Sequence, residues 1–181
     1  DPDTNIYYSS HMEKLIDQEF IRFQRSGTPM TLLRIRIDNW DNIIKGVSIK
    51  DIPVLVKDIS QALKSLFAEG DILGRKGQDY HAILLSTEQN KGLFVAERIR
   101  KRFSTSDFFT SEGNRVPATI TIGLIGSGPE METVDVLKSR IDNVMAQSIE
   151  NNHVYFYQKG SARKYVEEVV TIQNISGKEL F

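Results

Sequence analysis

The sequence has no cysteine among its 181 residues, which excludes disulfide bonds, thiolate metal sites and a cysteine nucleophile. It has three histidines, and no two of them stand at the close spacing that zinc sites use. No uninterrupted apolar stretch approaches the roughly 20 residues of a membrane-spanning helix, and the first residues are polar, unlike a secretory signal peptide. We therefore expect a cytoplasmic domain that holds no metal or cofactor and makes no membrane contact.

The chain also lacks an excess of charge of either sign. Lysine and arginine number 23 and the acidic residues 24, so the formal net charge is −1 and no long-range attraction to nucleic acid follows. Apolar residues make up 40% and charged residues 26%, which is typical of a globular protein with a core. The length suits one domain with an extension.

Hydrophobic periodicity predicts alternating helices and strands. Helices are predicted at 9–25, 52–67, 90–103 and 131–149, and strands at 31–37, 72–75, 80–85, 117–124 and 154–157, with a polar loop at 104–115. In the strand at 31–37, isoleucine and arginine alternate in the second half, which indicates one buried face. This order predicts an α/β (α+β) fold, in which about five mostly antiparallel strands are covered by helices.

The sequence after Gln158 differs from the rest. Residues 159–161 read KGS, which indicates a boundary, so we expect a domain at 1–158 and a tail at 159–181. Two interpretations of the tail stay open, a linker toward another domain and an arm that packs on a partner, and the linker is preferred.

Five blocks carry a resemblance to a known family. Residues 1–8 read DPDTNIYY, 33–42 read LRIRIDNWDN, 75–85 read RKGQDYHAILL, 119–123 read TITIG and 146–155 read AQSIENNHVY. In this order they resemble the conserved segments of the GGDEF family, the diguanylate cyclase domains that condense two GTP into cyclic di-GMP. The resemblance covers about 1–158 and implies the nucleotidyl-cyclase-like fold of that family.

The sequence departs from the family at the metal site that the resemblance implies. The family takes one metal ligand from the first aspartate of an Asp-x-Asp motif, where this chain has Arg36, whereas the second aspartate remains as Asp38. The other ligand position is kept by Asp79. A guanidinium cannot bind a cation and repels one nearby. We expect Arg36 to reach Asp79 and take the electrostatic role of the ion; a surface ion pair without function is the alternative.

Nucleotide contacts implied by the family are also replaced. The asparagine that recognises guanine in the family is replaced here by Ile44, whose side chain offers no hydrogen bond. The family's signature motif reads Gly-Gly-Asp/Glu-Glu-Phe. Its first glycine is kept as Gly77, but the second glycine, which lets phosphate approach the backbone, is replaced by Gln78. The last two signature residues, glutamate and phenylalanine, are Tyr80 and His81. We expect His81 to be partly buried and hydrogen-bonded.

Two further anion contacts are missing. The lysine and arginine that pair with the triphosphate in the family correspond to Gln147 and Asn151. Many family members bind cyclic di-GMP at an Arg-x-x-Asp motif before the signature; here Asp71 remains as a remnant of that inhibitory site, but the arginine is Ala68. We therefore expect the receptor site to be absent as well.

Three functions from different classes stay open. The preferred hypothesis is a catalytically inactive regulatory or interaction domain of a bacterial signalling protein, which contacts a protein partner or a neighbouring signalling domain; the family's tendency to dimerise also makes a homodimer plausible. The alternative is a receptor that binds GTP or cyclic di-GMP without turnover, using Arg34, Arg36, Lys45 and Arg75. A working cyclase is the third. A basic run at residues 98–102 is either a solvated helix face or a docking site for an acidic partner.

Overall fold

The computed structural model describes residues 1–2 and 4–167. The helices are α1 (Ser9–Ser26), α2 (Trp40–Lys45), α3 (Asp51–Ser65), α4 (Gln89–Ser104) and α5 (Val134–Gln147). The strands are β1 (Met30–Ile37), β2 (Ile72–Lys76), β3 (Asp79–Leu85), β4 (Phe108–Phe109), β5 (Arg115–Val116), β6 (Ile120–Gly126), β7 (Val154–Gln158) and β8 (Ser161–Lys164).

One sheet organises the molecule, with the strand order β2-β3-β1-β6-β7-β8. Neighbouring strands are antiparallel except β6 and β7, which are parallel. The predicted α/β fold with a mostly antiparallel sheet and flanking helices is therefore confirmed, although the sheet has six strands instead of about five.

The two faces of the sheet form two separate cores. On one face, Leu33 and Ile35 of β1 pack with buried side chains of α3 and α4. On the other face, Leu32 of β1 packs with Ile16 of α1 and Ile141 of α5. The first half of β1 is thus buried on both sides, with Thr31 as its polar member, and charged side chains enter only in its second half, as Arg34 and Arg36 on the face of Leu32.

Two segments differ from the sequence prediction. The predicted polar loop at 104–115 contains half of a small hairpin, in which Phe108 pairs with Val116, because the Phe108 ring packs 5.5 Å from that of Phe103. The predicted boundary after Gln158 falls in the turn between β7 and β8, so residues 161–164 belong to the sheet. The rest of the predicted tail, from residue 168 onward, lies outside the described residues.

Candidate functional site

The candidate site lies where β1 ends beside the β2–β3 turn. A cleft of about 450 Å³ opens there and is lined by Arg36, Ile37, Asn39, Trp40, Asp41, Asn42, Lys45, Gln78 and Asp79. Residues 36, 37 and 39–42 reach it because the chain leaves β1 and turns directly into α2, with Asn39 in the left-handed region at φ 54°; Asp38 does not line the cleft. Gly77, at φ 62°, makes the tight turn that brings Gln78 and Asp79 to the other side.

Asp38 is buried and its carboxylate is fully engaged by the protein. Its side chain is 1% exposed. Oδ1 accepts a hydrogen bond of 2.7 Å from the hydroxyl of Thr121, and Oδ2 accepts one of 2.7 Å from the hydroxyl of Thr119 and one of 2.8 Å from the backbone N–H of Asn152. Hydrogen bonds to a charged acceptor each contribute about 1.5–3 kcal/mol, so displacing them for a metal ion would be costly.

Asp79 is engaged by Arg34, not by Arg36. The Nε atom of Arg34 lies 3.1 Å from Oδ2 of Asp79, and its Nη1 pairs with Asp142 on α5. Arg34 stands opposite His81 in the register of β1 and β3, so its long side chain reaches diagonally to Asp79 on the same face. The predicted Arg36–Asp79 pair is therefore wrong.

Arg36 instead caps the end of α5. Its Nη2 donates a hydrogen bond of 2.8 Å to the backbone carbonyl of Ser148, the residue that follows the last turn of α5, and its Nε lies 4.0 Å from Oδ1 of Asp38. Carbonyl groups at a helix C-terminus have no partner within the helix and carry partial negative charge, which attracts a guanidinium. This attraction explains why Arg36 turns away from Asp79.

The remaining predicted positions do not all meet at the cleft. Ile44 is not among its lining residues. Tyr80 points into the opposite core, where its hydroxyl lies 2.8 Å from that of Ser60 and burial raises its pKa. Gln147 accepts a hydrogen bond from the N–H of Ala162 in β8.

Asn151 lies near the cleft, because its amide donates to Asn39 at 3.4 Å. Of the four cations considered for nucleotide binding, Arg36 and Lys45 line the cleft. Arg34 is paired as described, and Arg75 donates to the carbonyl of Gly77 with its guanidinium 5.8 Å from the Tyr80 ring centre.

His81 is buried under α1 and α5 without a hydrogen bond. It is 3% exposed, and neither ring nitrogen has a partner, so the predicted hydrogen bond is absent. Burial, with a smaller contribution from the nearby cations Lys76 and Arg34, lowers its pKa to about 4, and Glu13 opposes this shift. The ring is therefore neutral at pH 7 and costs free energy through its unsatisfied nitrogens.

An ion-pair network above His81 joins α1 to the sheet and to α5. Lys138 lies 2.9 Å from Glu13 and 2.7 Å from Asp17, and Lys76 lies 3.1 Å from Glu13. Burial alone would raise the pKa of Glu13, but the hydrogen bonds from Lys138 and Lys76 outweigh it and lower that pKa. The sequence did not indicate this network, because its members are distant along the chain.

The positions that the resemblance assigns to an inhibitory site, Ala68 and Asp71, lie in a separate hollow of about 620 Å³, which Lys64 and Glu69 also line. Oδ1 of Asp71 accepts a hydrogen bond of 3.1 Å from the N–H of Leu85, and burial raises its pKa. Asp71 therefore has a structural contact that fixes the loop before β2 against the end of β3.

The residues at the cleft do not fit the divalent cation that the resemblance implies. Both surviving carboxylates are held by protein donors, and the guanidinium of Arg36 lines the same cleft as Asp79. Across residues 1–2 and 4–167, no group of three or more histidine, aspartate or glutamate side chains is arranged to hold a metal ion. In the same part of the chain no helix has the length and apolarity to cross a membrane.

Comparison with known proteins decides the family. The sequence model of the family described as "Diguanylate cyclase, GGDEF domain" matches residues 1–153, most of the chain. The chain belongs to the GGDEF family. Diguanylate cyclase A of Treponema denticola is 24% identical over 123 residues, which are 67% of this chain and 33% of that protein. The alignment thus spans about a third of the curated relative.

Solved GGDEF structures share the fold. The GGDEF domain of FimX from Pseudomonas aeruginosa has a TM-score of 0.74 at 19% identity, covering 82% of this chain and 91% of that one. Diguanylate cyclase SiaD from the same organism, solved in complex with its activator SiaC, has a TM-score of 0.79 at 20% identity, covering 87% and 61%. At these identities the likeness shows the fold of this GGDEF domain.

Pairing between Arg34 and Asp79 predicts a measurable coupling energy. In a double-mutant cycle of Arg34→Gln and Asp79→Asn, we expect the free energies of unfolding to be non-additive by about 1 kcal/mol, because the side chains are about three-quarters buried. The matched cycle of Arg36→Gln and Asp79→Asn should be additive. Urea denaturation measures both, and a larger coupling for Arg36 would contradict the assignment.

Burial of neutral His81 predicts a pH-dependent stability. The unfolded chain takes up a proton on this ring near pH 6.5 and the folded chain only near pH 4, so stability falls as the pH falls through this window. Between pH 7 and pH 4, the free energy of unfolding of the unaltered protein should fall by about 3 kcal/mol more than that of His81→Phe, as measured by urea denaturation.

The same substitution at exposed His11 is the control for His81→Phe. Its ring is exposed and stacks on that of Tyr7, so His11→Phe shows what the same substitution does away from the buried site. If the difference in free energy of unfolding between the unaltered protein and His81→Phe does not change with pH, His81 is not buried as a neutral ring.

Proposed function

We propose that this GGDEF domain is a catalytically inactive regulatory or interaction domain of a bacterial signalling protein. The observation that supports the proposal is the engagement of both remaining carboxylates: Asp38 accepts three hydrogen bonds, and Asp79 pairs with Arg34. Phosphoryl transfer needs divalent cations to neutralise developing charge on the phosphates, and here arginines occupy the positions next to these carboxylates.

Substitutions around the cleft point in the same direction. Gln78 lines the cleft where a glycine would let phosphate approach the backbone. Gln147 and Asn151, at positions where the resemblance implies phosphate-binding cations, bond to Ala162 and Asn39. Loss of a single oriented donor costs about 3 kcal/mol of transition-state stabilisation, so several losses together oppose turnover.

The regulatory role is proposed to act through protein contacts. Relatives of this chain are longer than the aligned segment, which leaves room for neighbouring domains in such proteins. SiaD was solved in complex with its activator, so a protein of this fold does associate with a protein regulator. In this domain the contact partner would be another protein, a neighbouring domain or a second copy of the chain.

Inactivity predicts that the domain forms no cyclic di-GMP. Incubation with GTP and either Mg²⁺ or Mn²⁺, followed by chromatography, should give no product above a blank without protein. Diguanylate cyclase A of Treponema denticola serves as the reference, and Arg36→Asp tests whether removal of one guanidinium suffices for activity. Robust product from the unaltered domain that is lost in Asp79→Ala would contradict the proposal.

A second candidate is a receptor for GTP or cyclic di-GMP without turnover. The cleft of about 450 Å³ and its two cations, Arg36 and Lys45, favour this function. Under the preferred proposal, calorimetric titration with either nucleotide, with and without Mg²⁺, should show no binding at micromolar concentrations. Micromolar affinity that is weakened about tenfold or more by Lys45→Glu would support the receptor instead.

A further inference from the structure

The outward face of α4 concentrates positive charge in a chain whose net charge is −1. Helix α4 carries five cations and one carboxylate, Glu97. Five exposed residues lie at three- or four-residue spacing or next to one another on one side of the helix, and we call them the α4 basic face: Lys91, Phe94, Arg98, Lys101 and Arg102.

Arg100 does not belong to this face, although it lies within the basic run of the sequence. Its guanidinium donates to both carboxylate oxygens of Glu97 and to the side chain of Asn152. Within the part of the chain that the structure describes, no carboxylate lies within ion-pair distance of Arg98 or Arg102. Arg98 acts electrostatically on Asp71 without forming an ion pair with it, so both guanidiniums can still pair with a carboxylate of another molecule.

A groove of about 290 Å³ runs along this face, between α4 and residues 165–167. Phe94 is 67% exposed at its wall, and the ring of Tyr165 meets it edge-on with the ring centres 6.4 Å apart. Glu167 forms an ion pair with Lys101. The chain's own residues thus show what the groove accepts: an aromatic side chain on Phe94 and a carboxylate on a cation of α4.

We propose that the α4 basic face binds an extended acidic segment of a partner protein, which places an apolar side chain against Phe94 and carboxylates on Arg98 and Arg102. The inference rests on the proposed interaction role and names its surface and the chemistry of its partner. A peptide fits better than a nucleic acid or an anionic membrane, because the chain's own Tyr165 and Glu167 already place an aromatic ring on Phe94 and a carboxylate on Lys101, the same groups that an acidic peptide would supply.

The test measures binding of a fluorescein-labelled peptide that alternates glutamate with leucine and phenylalanine, by fluorescence anisotropy with the full chain. We expect saturable binding that weakens with added salt. The double variant Arg98→Glu/Arg102→Glu should weaken it at least about tenfold, and Phe94→Ala several-fold. The control Arg25→Glu, an exposed arginine at the end of α1, should leave binding unchanged.

Three results would overturn the proposal. They are no binding of the acidic peptide, equal weakening by Arg25→Glu, and tighter binding of single-stranded DNA or of phosphatidylglycerol vesicles than of the peptide. Circular dichroism establishes that each variant is folded. The cyclase assay examines the cleft and not α4, so failure of this proposal and failure of the proposed inactivity give different results.

Discussion

The buried carboxylate of Asp38 is the constraint on which the arrangement of the cleft depends. Its hydrogen bonds join the end of β1 to β6, through Thr119 and Thr121, and to the segment before β7, through Asn152. Removing one donor would leave a buried carboxylate oxygen short of a hydrogen bond, which typically costs about 1–3 kcal/mol. The carboxylate therefore serves to fix three segments of this GGDEF domain, and the adjacent Arg36 is held in place by the end of α5.

Two arginines on one face of β1 make different electrostatic contacts. Arg34 joins the signature turn to α5 through Asp79 and Asp142, and Arg36 satisfies a carbonyl at the C-terminal end of the same helix. A bound cation and a guanidinium both neutralise carboxylates, but the guanidinium is part of the fold and cannot exchange.

The fold could be predicted from the sequence because periodicity and turn residues report local structure well. The long helices and the central strands were predicted correctly for this reason, and the five blocks identified the family. β4, β5 and β8 were missed because strands of two to four residues are too short to show an alternation of apolar and polar side chains.

The details of the site could be predicted only in part. Arg36 and Asp79 line one cleft, but the sequence did not show which arginine pairs with Asp79. Arg34 and Arg36 lie on the same face of β1, and the choice between them depends on the distant Ser148 and Asp142, which tertiary packing brings close. For the same reason the sequence did not show that His81 would be buried without a hydrogen-bond partner.

Manganese binding tests the central claim most directly, because Mn²⁺ takes the same oxygen ligands as Mg²⁺ and its free form gives a strong electron paramagnetic resonance signal. Titration of the domain with Mn²⁺, in the presence of GTP, should leave the free signal equal to that of GTP and Mn²⁺ without protein. A signal reduced by the domain, and restored by Asp79→Asn, would show that this carboxylate holds a cation and would contradict the account.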